Sequence, residues 1–531
     1  MAKGPQEGGD KTRHPVLRLR AWLYGAALLL AVVAGCTSPP PAPRADTVVL
    51  GLTAEPATLN PLFLTDQVSY TVSAWTNPGL VRLTPELKAA PDLAEAWEIR
   101  DGGREIRFRL KAGVRWHDGR EFRAEDVVFT YELLTSGTLP TPHLSHFGPV
   151  REVQALDPQT VVVRYEEVYS SGLESWTFGL LPRPRTPKER EELTHSRTPP
   201  GTGPYRVKEW LAGQRLVLEA FPEYHGGPPA IRTLILSIHP DPVTALMELR
   251  AGRLDFLEVT PTQYLTLSRG RQGLGPLRLY RCPAGRYGLL GFNCREARLQ
   301  DPRVRRALSR AIDRQAIINA VWQGWAQPAA GPYPPGAWFS PEAPAAPEYD
   351  PEAARQELAA LGWTAAGQPP LRLVTHIESR ENALTAQIIQ SQLQRLGIPV
   401  KIETYEWLSF RYRAIARKEF DLVLLHRHYL PDPDLYNVWH SSKTGEGKWN
   451  FLSYHNPRVD ELLEKARRTL ELSARRAMYW QIQEVMREDP PGVFLYHLDS
   501  LYLAHQDLKG LRPSLLGLLS DPHTWSWARE P

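Results

Sequence analysis

Hydrophobic and polar positions along the first half of the chain alternate in short runs broken by tight turns. Trp97–Arg100 and Glu105–Leu110 flank Asp101-Gly102-Gly103 and predict a β-hairpin. A second turn, His117-Asp118-Gly119, precedes a helix of roughly ten residues from Glu125. Gly201-Thr202-Gly203-Pro204-Tyr205 is a rigid turn opening the strand Arg206–Trp210, and a partner strand Arg215–Ala220 follows Gly213. Asp241-Pro242 then caps a helix that Gly252 ends.

Near Tyr287 the period changes. Asp301-Pro302 opens a helix through Arg310, Asp313 another through Val321, and Asp350-Pro351 a third that stops at Gly362. A strand, Leu371–His376, an amphipathic helix, Asn382–Leu396, and a strand, Val400–Tyr405, form a β-α-β unit with parallel strands. A helix Trp407–Lys418 leads to the strand Phe420–His426. The class is therefore α/β. Open α/β sheets bind ligands at the carboxyl ends of their strands, which points to the loop HRHYLPDPD, residues 426–434.

The stretch LLLAVVAGCTSPPPAPRADT, residues 28–47, adds a location. Lys3, Lys11, Arg13, Arg18 and Arg20 precede an uncharged apolar run, Ala21–Gly35. That run is shorter than the ~20 residues that span a bilayer. Val33-Ala34-Gly35-Cys36 resembles the lipobox of bacterial lipoproteins, with Cys36 as the lipid anchor and the Pro-rich Ser38–Arg44 as an extended tether. The alternative is an ordinary secretory signal. Beyond residue 35 the charge is 58 basic against 57 acidic side chains, which gives no footprint for nucleic acid. Cys282 and Cys294 remain after the anchor; a hairpin at Pro283-Ala284-Gly285 would let them pair, and two buried free thiols are the alternative.

Chemistry-bearing motifs are few. There is no GxSxG elbow, HExxH helix, Walker A loop or CxxC pair, and Glu166-Glu167 and Glu191-Glu192 read as solvated surface, so a hydrolase is the minor reading. Gly201-Thr202-Gly203 lacks the third glycine and the helix of a nucleotide loop. His117, alone in its turn, reads as structural. His426, His428, His440 and His455 cluster in sequence without a closed metal spacing, so no metal or cofactor is assigned.

Several blocks resemble the large solute-binding proteins of ABC importers, the family of oligopeptide-, dipeptide- and nickel-binding proteins. They are APDLAEAWEI with GVRWHDGREFRAEDVVFTYELL, then GTGPYRVKEW, EYHGGPPAIRTLIL, ALMELRAGRLDF and LGFNCREARLQDPRVRRALSRAIDRQAI, in that order. The resemblance implies a two-lobed periplasmic-binding-protein-like fold of type II, large class, closing on a solute by hinge motion. Its implied layout is a signal peptide at 1–35, a tether at 36–45 and lobe 1 at 46–285 with an inserted subdomain at about 85–200. Lobe 2 follows at 286–488, and 489–531 returns to lobe 1.

The implied partners are an ABC permease and its ATPases, with the protein a monomer on its lipid anchor. In the family's peptide binders an aspartate shortly before the Asp-Pro of this loop pairs with the ligand's amino terminus. Aligned on Asp432-Pro433, that position is Tyr429. A buried ammonium needs an anion, so Asp432 as a substitute, a capped peptide, an oligosaccharide or a metal chelate all stay open. Arg427, His428 and Tyr429 are expected to set specificity, with Tyr70 and Asn77 facing them from lobe 1 and Trp407 and Asn450 flanking.

Overall fold

A computed structural model describes residues 46–528 apart from 271–272, 342–345, 365 and 430–431. The signal segment, the tether and Cys36 lie outside the described residues.

One mixed sheet of eleven strands runs through the molecule. On one side it holds the parallel strands Val400–Tyr405, Leu371–His376 and Leu422–His428. On the other, Phe256–Val259, Thr47–Leu52 and Thr233–Ile238 lie side by side, followed by the antiparallel Arg215–Ala220 and Tyr205–Leu211. Two long antiparallel strands, Leu277–Phe292 and Gly492–His505, join the halves. Their outer stretch pairs Leu277–Pro283 with His505–Asp499, and their inner stretch pairs Tyr287–Gly291 with His497–Gly492. The register shifts between Pro283 and Tyr287, around Gly285 at φ 67°. The extra residues lie on Leu277–Phe292, and a bulge of this kind bends its strand where the sheet passes from one half to the other.

Each half has its own core. In the second half, Leu290, Leu373, Ile389 and Leu422 pack on one face of the sheet, and Tyr287, Phe410, Trp439 and Tyr479 on the other. In the first half, Leu50, Trp75, Tyr205 and Trp525 lie opposite Val49, Leu249 and Leu503. A separate four-stranded sheet, in the order Ala94–Arg100, Glu105–Leu110, Thr160–Tyr165 and Val150–Asp157, packs with the helix Ala124–Thr135 around Trp116, Phe108 and Trp176.

His117 fastens this inserted domain to the first half. Its Nε2 lies 3.0 Å from the Gly203 carbonyl, and its Nδ1 accepts the Gly201 N–H at 3.2 Å. Burial pushes its pKa down to about 4, which favours the neutral ring that can both donate and accept. Gly201 is required by close approach, since a Cβ there would sit 1.8 Å from the Thr76 carbonyl oxygen.

Three expectations change. LRLYRC, residues 277–282, and the start of YGLLGFNC, residues 287–292, lie on one continuous strand instead of a hairpin, which carries Cys294, just past its end, away from Cys282, and both are free. The segment Trp407–Lys418 divides into a short α-helix, Trp407–Phe410, and a π-helix, Arg411–Ala416. The helices Pro457–Arg467 and Leu472–Glu488 were not anticipated, although Asn456-Pro457 and the spacing of Val459, Leu462, Leu463 and Ala466 carry a helix signature. Among the described residues no helix is long and apolar enough to cross a membrane.

Candidate ligand cleft

The parallel strands of the second half end at His376, Tyr405 and His428, and of these Leu422–His428 pairs directly with a crossing strand, placing His428 opposite Arg286. Because the strand Leu422–His428 runs two residues past its expected end, strand alternation divides the predicted specificity loop. His426 and His428 share one face, while Arg427 and Tyr429 fall on the other.

Tyr429 is anchored. Its ring stacks on Tyr287 at 5.5 Å and 25°, its N–H donates to the Gly285 carbonyl at 2.8 Å, and its hydroxyl bonds His497 Nδ1. Burial drives the phenol well above its usual pKa and His497 down to about 4, so neutral partners share one proton donor. Arg427 lies over Phe451 and Trp439, at 5.3 and 5.6 Å, and desolvation lowers its pKa. On the opposite face His426 packs edge-on to Trp322 at 5.8 Å and is held neutral, at about 3, chiefly by burial. His428 stays open to solvent.

The other predicted residues divide similarly. Tyr70, 43% exposed, meets His143 of the inserted domain edge-on at 6.0 Å. Trp407, 48% exposed, stacks on Phe410 and donates its N–H to Glu378 at 2.8 Å. Asn77 and Asn450 are buried inside their own halves. Asn77 donates to the carbonyls of Pro200 and Leu180, at 3.1 and 3.4 Å. Asn450 donates to those of Tyr454, His440 and Trp439, at 2.9 to 3.2 Å. Their amides are thus committed to holding loops, which corrects the expectation that they face a ligand.

A second meeting of the halves, away from the crossing strands, had not been read from the sequence. Arg475 is buried in the second half and donates to the Ser170 carbonyl of the inserted domain at 3.0 Å, while Ser170 N–H donates to the Arg467 carbonyl at 2.8 Å. Arg475 also faces Asp432 at 3.8 Å, and Arg467 holds Asp434 at 3.0 Å. Asp432 therefore caps the Asp434 N–H and balances a guanidinium.

Glu174 enters this cluster from the inserted domain, where burial and the Asp432 charge push its carboxyl up to about 7. Burial and Asp432 likewise raise Asp434, to about 6. Beside them Leu87, at φ 63°, buries its side chain in the core of the second half, and Trp338 N–H donates to the Glu86 carbonyl at 3.1 Å. Residues 88–448 match the model of the bacterial extracellular solute-binding proteins, family 5 Middle.

The chain belongs to that family. The oligopeptide-binding protein AppA of Bacillus subtilis is 28% identical over 94% of this solute-binding protein and 97% of AppA. The structure of AppA in complex with a nonapeptide superposes with a TM-score of 0.73, at 28% identity, covering 91% of this chain and 99% of AppA. NikZ of Campylobacter jejuni, in complex with Ni(L-His), gives a TM-score of 0.74 at 26% identity over 91% of this chain and 99% of NikZ. The fold of this solute-binding protein is thus the two-lobed one of its family. Among its described residues no three His, Cys, Asp or Glu side chains converge as a metal site.

Proposed function

We propose that this solute-binding protein captures a peptide or peptide-like solute between its lobes and delivers it to an ABC permease and its ATPases. The carrying observation is one sheet bent at a register shift, with the strand ends of the second lobe turned toward that bend. The likeness to AppA, an oligopeptide-binding protein whose structure holds a nonapeptide, supports a peptide as the ligand class. Lobe 1 comprises residues 46–285 and 489–531, with the insert at about 85–200, and lobe 2 residues 286–488. The protein acts as an extracytoplasmic monomer tethered through lipidated Cys36 to the cell membrane, on its periplasmic side or outer face. Tyr70 and Trp407 offer exposed rings to the solute, and His428 an open imidazole; Arg427, Tyr429 and Asp432 hold the loop that carries it.

Thermal unfolding of residues 46–531 against di- to hexapeptides, oligosaccharides and nickel chelates tests the ligand class. A ligand at a hundred times its Kd adds ~2.7 kcal/mol, so peptides raise the midpoint; a shift with sugars or chelates alone rejects the peptide reading. For the anchor, Cys36→Ser moves the full-length protein from the membrane to the soluble fraction. Unchanged fractionation would reject lipidation.

A further inference from the structure

Most described carboxylates around the hinge and the lobe junction already face a cation. Asp499 is paired with Arg281, Asp434 with Arg467, and Asp432 with Arg475, while Glu174 is shut inside the lobe junction beside Arg475. Glu258 differs. It is the third residue of the strand Phe256–Val259, opposite Tyr502 in register, where lobe 1 meets the crossing strands. Its Oε1 accepts the Ser500 hydroxyl at 2.9 Å, and no lysine, arginine or histidine among the described residues comes within 4 Å of it. The residue is open to solvent, yet surrounding protein desolvates its carboxyl and raises its pKa. A carboxylate both reachable and hemmed in is what the floor of a cleft presents.

A desolvated carboxylate without a cation is costly, and a cation that arrives with a ligand removes that cost. The nearest guanidinium, Arg286, belongs to the lobe 2 end of the crossing strand and lies beyond ion-pair distance. It is half-buried, and among the described residues it makes no ion pair. The floor therefore offers one anion from lobe 1 and one cation from lobe 2, not spent on each other. A solute carrying an ammonium and a carboxylate or carbonyl oxygen complements both. A lone carboxylate and a hydroxyl are too few oxygens for a divalent metal, but they suit the three donors of an –NH3+ group.

We propose that Glu258 is the specificity-determining receptor for the ammonium group of the solute. This rests on the peptide reading above. It also answers how a loop with tyrosine at position 429 serves an amino-bearing ligand: the anion comes from the other lobe.

The test is calorimetric titration of residues 46–531, wild type, Glu258→Gln and Glu258→Asp, with tri- and penta-alanine and with their N-acetylated forms. The expected result is that wild type binds the free-amino peptides and Glu258→Gln weakens them by about thirtyfold or more. Glu258→Asp retains most of the affinity, and the acetylated peptides are indifferent to the substitution. Unchanged affinity of Glu258→Gln for free-amino peptides overturns the assignment while leaving the peptide reading intact. So does an equal loss for free and acetylated peptides, which marks a structural role. If wild type binds neither form, the peptide reading fails and this inference falls with it. Unliganded melting temperatures within a degree or two of wild type establish that the variants are folded.

Discussion

The lobes of this protein meet in two places built from different materials. At the crossing strands the contact is backbone: residues 277–292 and 492–505 form one hydrogen-bonded ladder that belongs to both lobes. At the junction of the inserted domain with lobe 2 it is side chain: buried Arg475, the carboxylates of Glu174, Asp432 and Asp434, and Leu87 in a foreign core. A ladder can bend at a bulge but cannot part without losing many hydrogen bonds together. A set of ionic and apolar side-chain contacts can part as a unit. In the closure proposed above, the first contact serves as the hinge and the second as the latch, and hinge closure around ligands is a known repertoire of two-lobed proteins.

Four substitutions separate the latch from the hinge. The largest effect belongs to Arg475→Ala, which strands Asp432 and Glu174 without their guanidinium. Chemical denaturation should show a loss of about 3–5 kcal/mol; a loss below 1 kcal/mol means that the cluster carries no net charge worth compensating. Leu87→Ala comes next, at about 2–4 kcal/mol of junction stability. Small-angle scattering should then show a larger radius of gyration, and an unchanged radius would place Leu87 outside the moving contact.

Third is a pH effect with a definite sign. Glu174 in the closed junction has its pKa raised from 4.5 to about 7, so between these values the closed form binds more protons than a form with Glu174 in water. Closure is therefore favoured at pH 5 and weakens as pH rises toward 7, with no further change from this group above that. Asp432 and Arg475 of the second lobe act directly on Glu174, and Glu174 in turn acts on Tyr165 of its own domain. Asp434, Arg467, Tyr479 and Tyr169 complete the cluster through their contacts with Asp432, Asp434 and Arg475. Glu174→Gln should flatten the pH dependence of closure, read as interlobe distance by paired fluorophores. A slope identical to wild type removes Glu174 from the latch.

The smallest effect is Tyr429→Phe at the hinge. It deletes the bond to His497 but keeps the stack on Tyr287, so about 1 kcal/mol of stability is lost. Closure and its pH dependence should not move; a change in either would show that hinge and latch are coupled.

Much of the fold was legible because its signals are local. Asp-Pro caps at 241, 301 and 350, the Asp-Gly-Gly turn at 101–103 and the alternating runs beside it act over a few residues, and the elements they announce stand within two or three residues of their expected ends. The site was less legible. Arg427, His428 and Tyr429 are neighbours in sequence, yet a strand extended by two residues sends their side chains to opposite faces. Asn77 and Asn450 looked available, yet loops from their own halves claim their amides.

The sequence by itself determined the α/β class, the order of its helices and strands and the family, since these follow from periodicity, caps and contiguous blocks. Only the tertiary structure decided that two runs around Pro283 are one strand, that Glu174 meets Arg475 across some 300 positions of chain, and that Glu258 senses Arg286 without an ion pair to any described residue. The physical reason is that pairing, burial and charge balance depend on which distant groups the chain brings together, and no window of neighbouring residues contains both partners.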